Sequence, residues 1–364
     1  MHFFSLTLFR YIARRYLVWL FGVLALLVAI IVLAESIELL RRAAGRDDIG
    51  FGLVVQMALL KTPATAQVVL PFAVLAAGIG AYWQLTRFHE LVVARAAGVS
   101  VWQFLLPALA AVLVVSVLRV IAFDPVAAAM SGKFEQLEGN YLGGSQLVAA
   151  SVNGLWLRQV SEQQQSIVHA ERLLPDSLAL ERVMVLDFTA DDRLIERIDA
   201  DAAFLEGDRW RLANAWITAP NRPSVFEESY ERAASLSFPE IVESFASAKA
   251  VSFWRLPRYI ELLEATGLPT LEHRLRYHRL LATPLLLVSM VALSAAFALR
   301  PARKGGVTLL IATGALTGFL LYFLSDVVHA LGLSGTLPVV LAAWAPGGIV
   351  GMIGVALLLH LEDG

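Results

Sequence analysis

The chain has 364 residues, 58% of them hydrophobic and 16% charged, with no cysteine and a formal net charge of −2. Soluble domains carry roughly a quarter charged residues, so an ordinary water-soluble enzyme is excluded, and the near-neutral balance excludes an electrostatic footprint for nucleic acid. The absence of cysteine excludes disulfide scaffolds, thiolate metal sites and thiol nucleophiles.

Spanning helices need about 20 mostly apolar residues at about 1.5 Å each. Tyr16–Ala34 is charge-free, follows Arg10, Arg14 and Arg15, and is too long for a signal-peptide core, so it reads as a retained first span. Between Ile49 and Leu85 the one charge is Lys61, followed by Pro63. That proline predicts an interfacial helix to about Leu60, a bend, and a second span from about Ala64 to Leu85. The third span runs from about Val99 to Phe123, with Arg119 expected to snorkel outward.

Asp124–Arg279 holds 39 of the 60 charges, which marks a water-soluble block inserted into a membrane domain. Ala127–Leu142 reads as helical. Then come short runs rich in Val, Ile, Leu and Trp: Gly154–Val160, Ser166–Leu173, Arg182–Phe188, Leu194–Ile198 and Trp210–Ile217. Turn signals separate them, and near-even spacing predicts a sandwich, jelly roll or partly open barrel. A short helix is expected over Leu256–Ala265. Three further spans follow, Leu280–Leu299, Gly305–Ser325 and about Leu337–Leu359. The last carries Gly347, Gly348, Gly351 and Gly354, small residues that permit close helix approach.

Six spans put both termini on one side. Arg10, Arg14, Arg15, Arg87, Arg95, Arg300, Arg303 and Lys304 lie there, against Arg41, Arg42, Arg46 and Lys61 in the opposite short loops. The excess of basic residues predicts cytoplasmic termini and a block outside the cytoplasm. The predicted fold is therefore a membrane α-helical protein with six transmembrane helices and an inserted all-β domain (a sandwich, jelly roll or partly open barrel) outside the cytoplasm. Its expected parts are 1–123 (three spans), 124–279 (β domain with flanking helices) and 280–364 (three spans).

No phosphate loop, H-E-x-x-H pair or nucleophile elbow occurs, so no catalytic site, metal or cofactor is expected, and any energy the protein uses would come from another chain. His273 and His278 are five apart and do not share a helix face. At the end of the first span, Glu38 precedes Arg41 and Arg42 by three and four residues. This is either a salt-bridged helix end or a polar mouth for an amphiphile with anionic head groups, which guanidinium forks bind well. Asp326 and His329, one turn apart, are either a proton relay or a polar pair at a helix end. The stretch Thr86–Gly98 suits a short amphipathic helix with a glycine stop, either an interfacial connector or a docking helix for a soluble partner.

The run Glu90-Leu-Val-Val-Ala-Arg-Ala-Ala-Gly98 resembles the coupling-helix signature of the LptF/LptG family, permease subunits of the lipopolysaccharide exporter. The resemblance extends along the chain. It includes Arg10-Tyr-Ile12, the Pro63 and Pro71 spacing, Leu142-Gly-Gly-Ser145 leading to Gly154-Leu-Trp156, and the pattern Asp192-Arg-Leu194…Ala200…Ala203…Trp210-Arg-Leu212. Tyr277…Leu281…Pro284 and Tyr322…Asp326 continue it. The Glu-Leu-Val-Val form and the Ala44-Gly45 ending look more like the LptG branch.

The resemblance implies a half-transporter paired with an LptF-type permease subunit in the bacterial inner membrane, with an LptB ATPase dimer docked on the cytoplasmic side and LptC alongside. Lipopolysaccharide would enter from the outer leaflet through a lateral gate involving spans one and five and pass to a periplasmic β-jellyroll bridge. Glu90 matches the coupling-helix acid, and Arg87, Phe88, Leu91 and Arg95 accompany it as the expected ATPase-coupling residues. Glu38, Arg41 and Arg42 match acidic and basic positions at the cavity mouth, and Glu35 stands where a basic residue is expected. Phe72, Phe319, Tyr322 and Phe323 are candidates for an apolar wall around the acyl chains. Three other readings remain: the LptF-type partner subunit of the same exporter, a proton-coupled lipid carrier using Glu35, Asp326 and His329, and a membrane-anchored periplasmic scaffold.

Overall fold

The computed structural model describes residues 6–44, 50–96, 98–142, 155–160, 164–174, 179–189, 193–206, 209–220, 222–233, 247–265, 269–299 and 306–362. The chain divides into two compact units, 1–131 with 252–254 and 271–364 in one, and 132–251 with 255–270 in the other. Leu142–Ser145 and Gly154, quoted above, lie partly outside the described residues, as do Gly45, Asp192, Arg300, Arg303 and Lys304.

The first unit is built from six helices of membrane-spanning length and composition. They are α1 (Leu6–Ala43), α2 (Phe51–Arg87), α4 (Val101–Leu118) running on into α5 (Asp124–Leu142, of which the residues from Gly132 onward belong to the second unit), α7 (Leu271–Ala298), α8 (Gly306–Leu333) and α9 (Val339–Glu362); the seven-residue α3 (Glu90–Ala96) joins α2 to α4. The bend expected at Pro63 does not divide the second span: α2 is one 37-residue helix containing both Pro63 and Pro71. Proline removes one backbone bond but does not end a helix whose neighbouring turns stay satisfied.

The core of this unit joins Ile12, Tyr16 and Leu20 of α1 to Val74 and Tyr82 of α2, Phe104 and Leu105 of α4, Leu287 and Val291 of α7, and Val350 of α9. Tyr16 is fully buried yet satisfied, its hydroxyl donating to the Val74 carbonyl at 2.8 Å. The sixth-span glycines do what small residues permit: a Cβ on Gly354 would stand 3.0 Å from the Leu293 backbone nitrogen of α7.

The third span is longer than expected, because α4 passes through a π-helical turn at Arg119–Phe123 directly into α5. Arg119 does not snorkel outward. Its Nη1 donates to Thr283 Oγ1 on α7 at 2.8 Å and its Nη2 to Gln67 Oε1 on α2 at 3.3 Å. With partners inside the bundle, the guanidinium does not need to reach water. One turn on, the fully buried Asp124 pairs with Arg276 at 3.1 Å and accepts the Phe253 N–H at 2.8 Å.

In the second unit six strands form one antiparallel sheet in sequential order: β1 (Leu155–Val160), β2 (Gln164–Leu174), β3 (Ala179–Thr189), β4 (Leu194–Glu206), β5 (Arg209–Thr218) and β6 (Val225–Ala233). The five strands read from sequence are present, and β6 is additional. One face buries Val168, Ala170, Val183, Val185, Ile198, Trp210, Leu212 and Ala215, the alternation expected of a sheet with one covered side. The sheet curls strongly. Arg232 on β6 donates from Nη1 to Asp187 Oδ2 on β3 at 2.8 Å and from Nη2 to Ser166 Oγ on β2 at 2.8 Å, although β6 pairs in the sheet with β5. Helix α6 (Leu256–Ala265) buries Leu256, Tyr259, Ile260 and Leu263, an i, i+3, i+4, i+7 stripe.

Candidate functional site

At the end of the bundle where α1 begins, the chain makes a tightly specified connector. Phe88 closes α2, its N–H donating to the Gln84 carbonyl at 3.1 Å. His89 then adopts a left-handed conformation (φ 59°), which a histidine tolerates better than a β-branched residue does. Its carbonyl accepts the Val93 N–H at 3.1 Å, starting α3. Gly98, at φ 85°, ends the connector, and Ser100 and Gln103 form a reciprocal capping box that starts α4.

Of the expected coupling residues, Leu91 is buried in the bundle core, whereas Phe88 is exposed together with Val93. Arg87 lies over the Trp83 ring at 5.1 Å, and the Arg95 side chain lies outside the described residues. Glu90 is half-exposed and tied to the first span. Tyr11 donates its hydroxyl to Glu90 Oε1 at 3.1 Å, and Arg15 Nη1 sits 2.6 Å from the Tyr11 oxygen and 4.0 Å from Glu90 Oε1. Arg15 Nε and Trp19 Nε1 both donate to Gln84 Oε1, at 3.3 and 2.8 Å. Sequence reasoning missed this network. The available signal was the spacing of Tyr11, Arg15 and Trp19, polar-tipped side chains four apart on one helix face.

At the opposite end of α1, Glu38 gathers both arginines: Arg41 donates from Nε and Nη2 at 2.8 Å each, and Arg42 Nε at 2.9 Å. Exposed pairs of this kind contribute little to stability, and both guanidinium groups remain exposed at the helix end. Glu35 is paired as well, with Lys61 of α2 at 2.6 Å. Its charge is thus balanced within the chain, by a residue 26 positions away that local spacing does not reveal.

The aromatic candidates fall into two groups. Phe72 and Tyr322 meet across α2 and α8 with ring centroids 5.8 Å apart, and Phe72 also packs over Gly318. Phe319 and Phe323 turn outward with Leu316 and Leu320 in a continuous apolar stripe on α8. A second exposed stripe, Val18, Phe21, Ile30, Leu33 and Ile37, runs along α1. On α8, Asp326 is exposed and His329 is half-buried. Among the described residues, no three His, Cys, Asp or Glu side chains gather as a metal set.

Six apolar helices of spanning length, with charged fixtures at both ends of the first, define a multi-pass membrane protein carrying an inserted β domain. Residues 10–360 match the family described as "Lipopolysaccharide export system permease LptF/LptG", and the chain belongs to that family. It is 24% identical to the lipopolysaccharide export system permease protein LptG of Escherichia coli strain K12, over 96% of this chain and 97% of that protein. The LptG of Escherichia coli O6:H1 strain CFT073 matches to the same extent.

Proposed function

We propose that this chain is the LptG-type half of a lipopolysaccharide exporter in the inner membrane, paired with an LptF-type subunit, with both termini in the cytoplasm and the β domain in the periplasm. Several acyl chains anchor such a lipid at about 0.8 kcal/mol per buried CH₂, so extraction costs tens of kcal/mol unless a protein cavity substitutes for the bilayer. The exposed stripes of α1 and α8, with Phe72 and Tyr322 between α2 and α8, supply such a wall. Arg41 and Arg42, exposed at the outer end of α1, meet the anionic head groups. The curled sheet offers a covered apolar face to the departing chains, with LptC alongside.

ATP would be bound and hydrolysed by a separate LptB dimer docked on α3, and closure of the two permease halves would move the lipid outward as a rigid-body shift. The observation that carries this reading is α3 itself: seven residues fixed at both ends by a left-handed turn and a capping box, presenting Glu90 half-exposed at the surface. Replacing Glu90 with Ala abolishes co-purification of the ATPase or coupled export, and replacing Arg41 and Arg42 with Ala weakens lipid photocrosslinking to α1. Full docking and export in the first variant refute the coupling assignment, and unchanged crosslinking in the second removes the arginines from the lipid site. Export that collapses with the proton gradient while ATP remains favours the carrier reading instead.

A further inference from the structure

Both contacts to the Glu90 carboxylate fall on Oε1, the Tyr11 hydroxyl at 3.1 Å and Arg15 Nη1 at 4.0 Å. Oε2 has no protein partner among the described residues, and the side chain is about one-third exposed. One oxygen thus faces the first span while the other is open to an incoming cation. The bonds on the inner side run in series: Arg15 donates to the Tyr11 oxygen, and Tyr11 donates to Glu90. Hydrogen bonds chained in this way polarise one another. Arg15 is itself braced by Gln84 of α2, which Trp19 also holds, and its guanidinium lies 5.7 Å from the Tyr11 ring centroid.

What these groups are attached to gives the arrangement its use. Helix α1 runs without interruption from Leu6 to Ala43, about 57 Å at about 1.5 Å per residue. Tyr11 and Arg15 stand near its start; Glu35, paired with Lys61, and Glu38, paired with Arg41 and Arg42, stand near its end. A displacement of Glu90 parallel to the bundle axis is therefore delivered to a rod whose far end carries the exposed arginines.

We propose that Tyr11 and Arg15 are the positioning residues that couple Glu90 to the first span, so that the carboxylate is shared, Oε2 with a cationic side chain of the docked ATPase and Oε1 with α1. This rests on the reading of α3 as the docking helix. Tyr11 and Arg15 do not touch the ATPase; they decide whether its movement reaches α1.

The test uses the full exporter reconstituted in proteoliposomes with lipopolysaccharide, and scores three quantities: ATPase co-purification, ATP hydrolysis, and lipid released per ATP hydrolysed. Tyr11→Phe keeps the ring and loses the hydroxyl; Arg15→Gln loses the cation. Both variants retain the ATPase and hydrolyse ATP, while lipid released per ATP falls about five-fold, the order expected for one hydrogen bond removed from a coupled chain. Arg15→Lys, which keeps a cationic donor beside Tyr11, restores most of that ratio. An unchanged ratio in Tyr11→Phe and Arg15→Gln overturns the proposal. So does joint loss of ATPase binding and thermal stability, which marks Tyr11 and Arg15 as packing residues only. If Glu90→Ala retains both full ATPase docking and full coupled export, it is the docking-helix reading that fails, and the shared carboxylate fails with it.

Discussion

Transmission along the first span requires spans one, two and four to move together, and Gly78 tests how closely they are locked. A Cβ placed on Gly78 runs into the Ser294 hydroxyl of α7, and stands 2.6 Å from Ser294 Cβ and 3.5 Å from the Tyr16 ring of α1. Carbon atoms in contact sit about 3.5 Å apart or more, so Gly78→Ala must push α2 from α7 by about 1 Å. Ser294 cannot yield cheaply, being fully buried with its hydroxyl bonded to the Val291 carbonyl at 2.7 Å. Overpacking of this size costs about 1–3 kcal/mol, or roughly 1–4 °C in the unfolding midpoint of the detergent-purified chain. The geometry also orders the rescues. Ser294→Ala removes only the hydroxyl clash and leaves the Cβ in place, so the Gly78→Ala/Ser294→Ala pair stays destabilised. Ser294→Gly removes both atoms and recovers most of the loss. An unchanged midpoint in Gly78→Ala, or equal rescue by Ala and Gly, refutes the close approach of α2 and α7.

The β unit offers two further tests. Arg232→Gln strips Asp187 of both guanidinium bonds and Ser166 of a third, leaving a buried carboxylate unpaired at a cost of about 3 kcal/mol; hydrogen exchange should quicken in β2, β3 and β6 while α7 is unaffected. Burial first, and then the neighbouring Asp187 carboxylate, raise the pKa of Glu196, with Arg232 opposing them. The folded sheet therefore prefers Glu196 protonated: its contribution is most favourable below the ordinary carboxylate value of about 4.3 and is lost as pH rises through the raised folded value. Glu196→Gln should slow exchange of β3 and β4 at pH 7 and have no effect below about pH 4; an effect independent of pH contradicts the assignment.

The spans were legible because hydrocarbon thickness demands a long apolar run, whatever the packing around it. What could not be read depended on partners distant in sequence. Arg119 looked like a stranded charge because its two acceptors, Gln67 and Thr283, lie 52 and 164 residues away. Pro63 looked like a break because local propensity is blind to the neighbouring helices that keep α2 continuous. Strand β6 escaped notice because Glu227, Glu228, Glu231 and Arg232 mask the alternation of a strand whose inward positions include Arg232 itself. At the candidate site, Glu90, Glu38, Arg41 and Arg42 could be picked out from local motifs and i, i+4 spacing. The balance of Glu35 by Lys61 and the hold of Tyr11 and Arg15 on Glu90 are tertiary contacts, and only the fold supplies them.

The central claim is that this chain works as half of an ATP-driven lipid extractor, and its natural companions test that most directly. Gentle purification of the full chain from its own membranes, followed by mass spectrometry of everything retained, should recover a second permease of the same family, a soluble ATPase and lipopolysaccharide. Recovery of the chain alone, with neither nucleotide-hydrolysing subunit nor glycolipid attached, would contradict it.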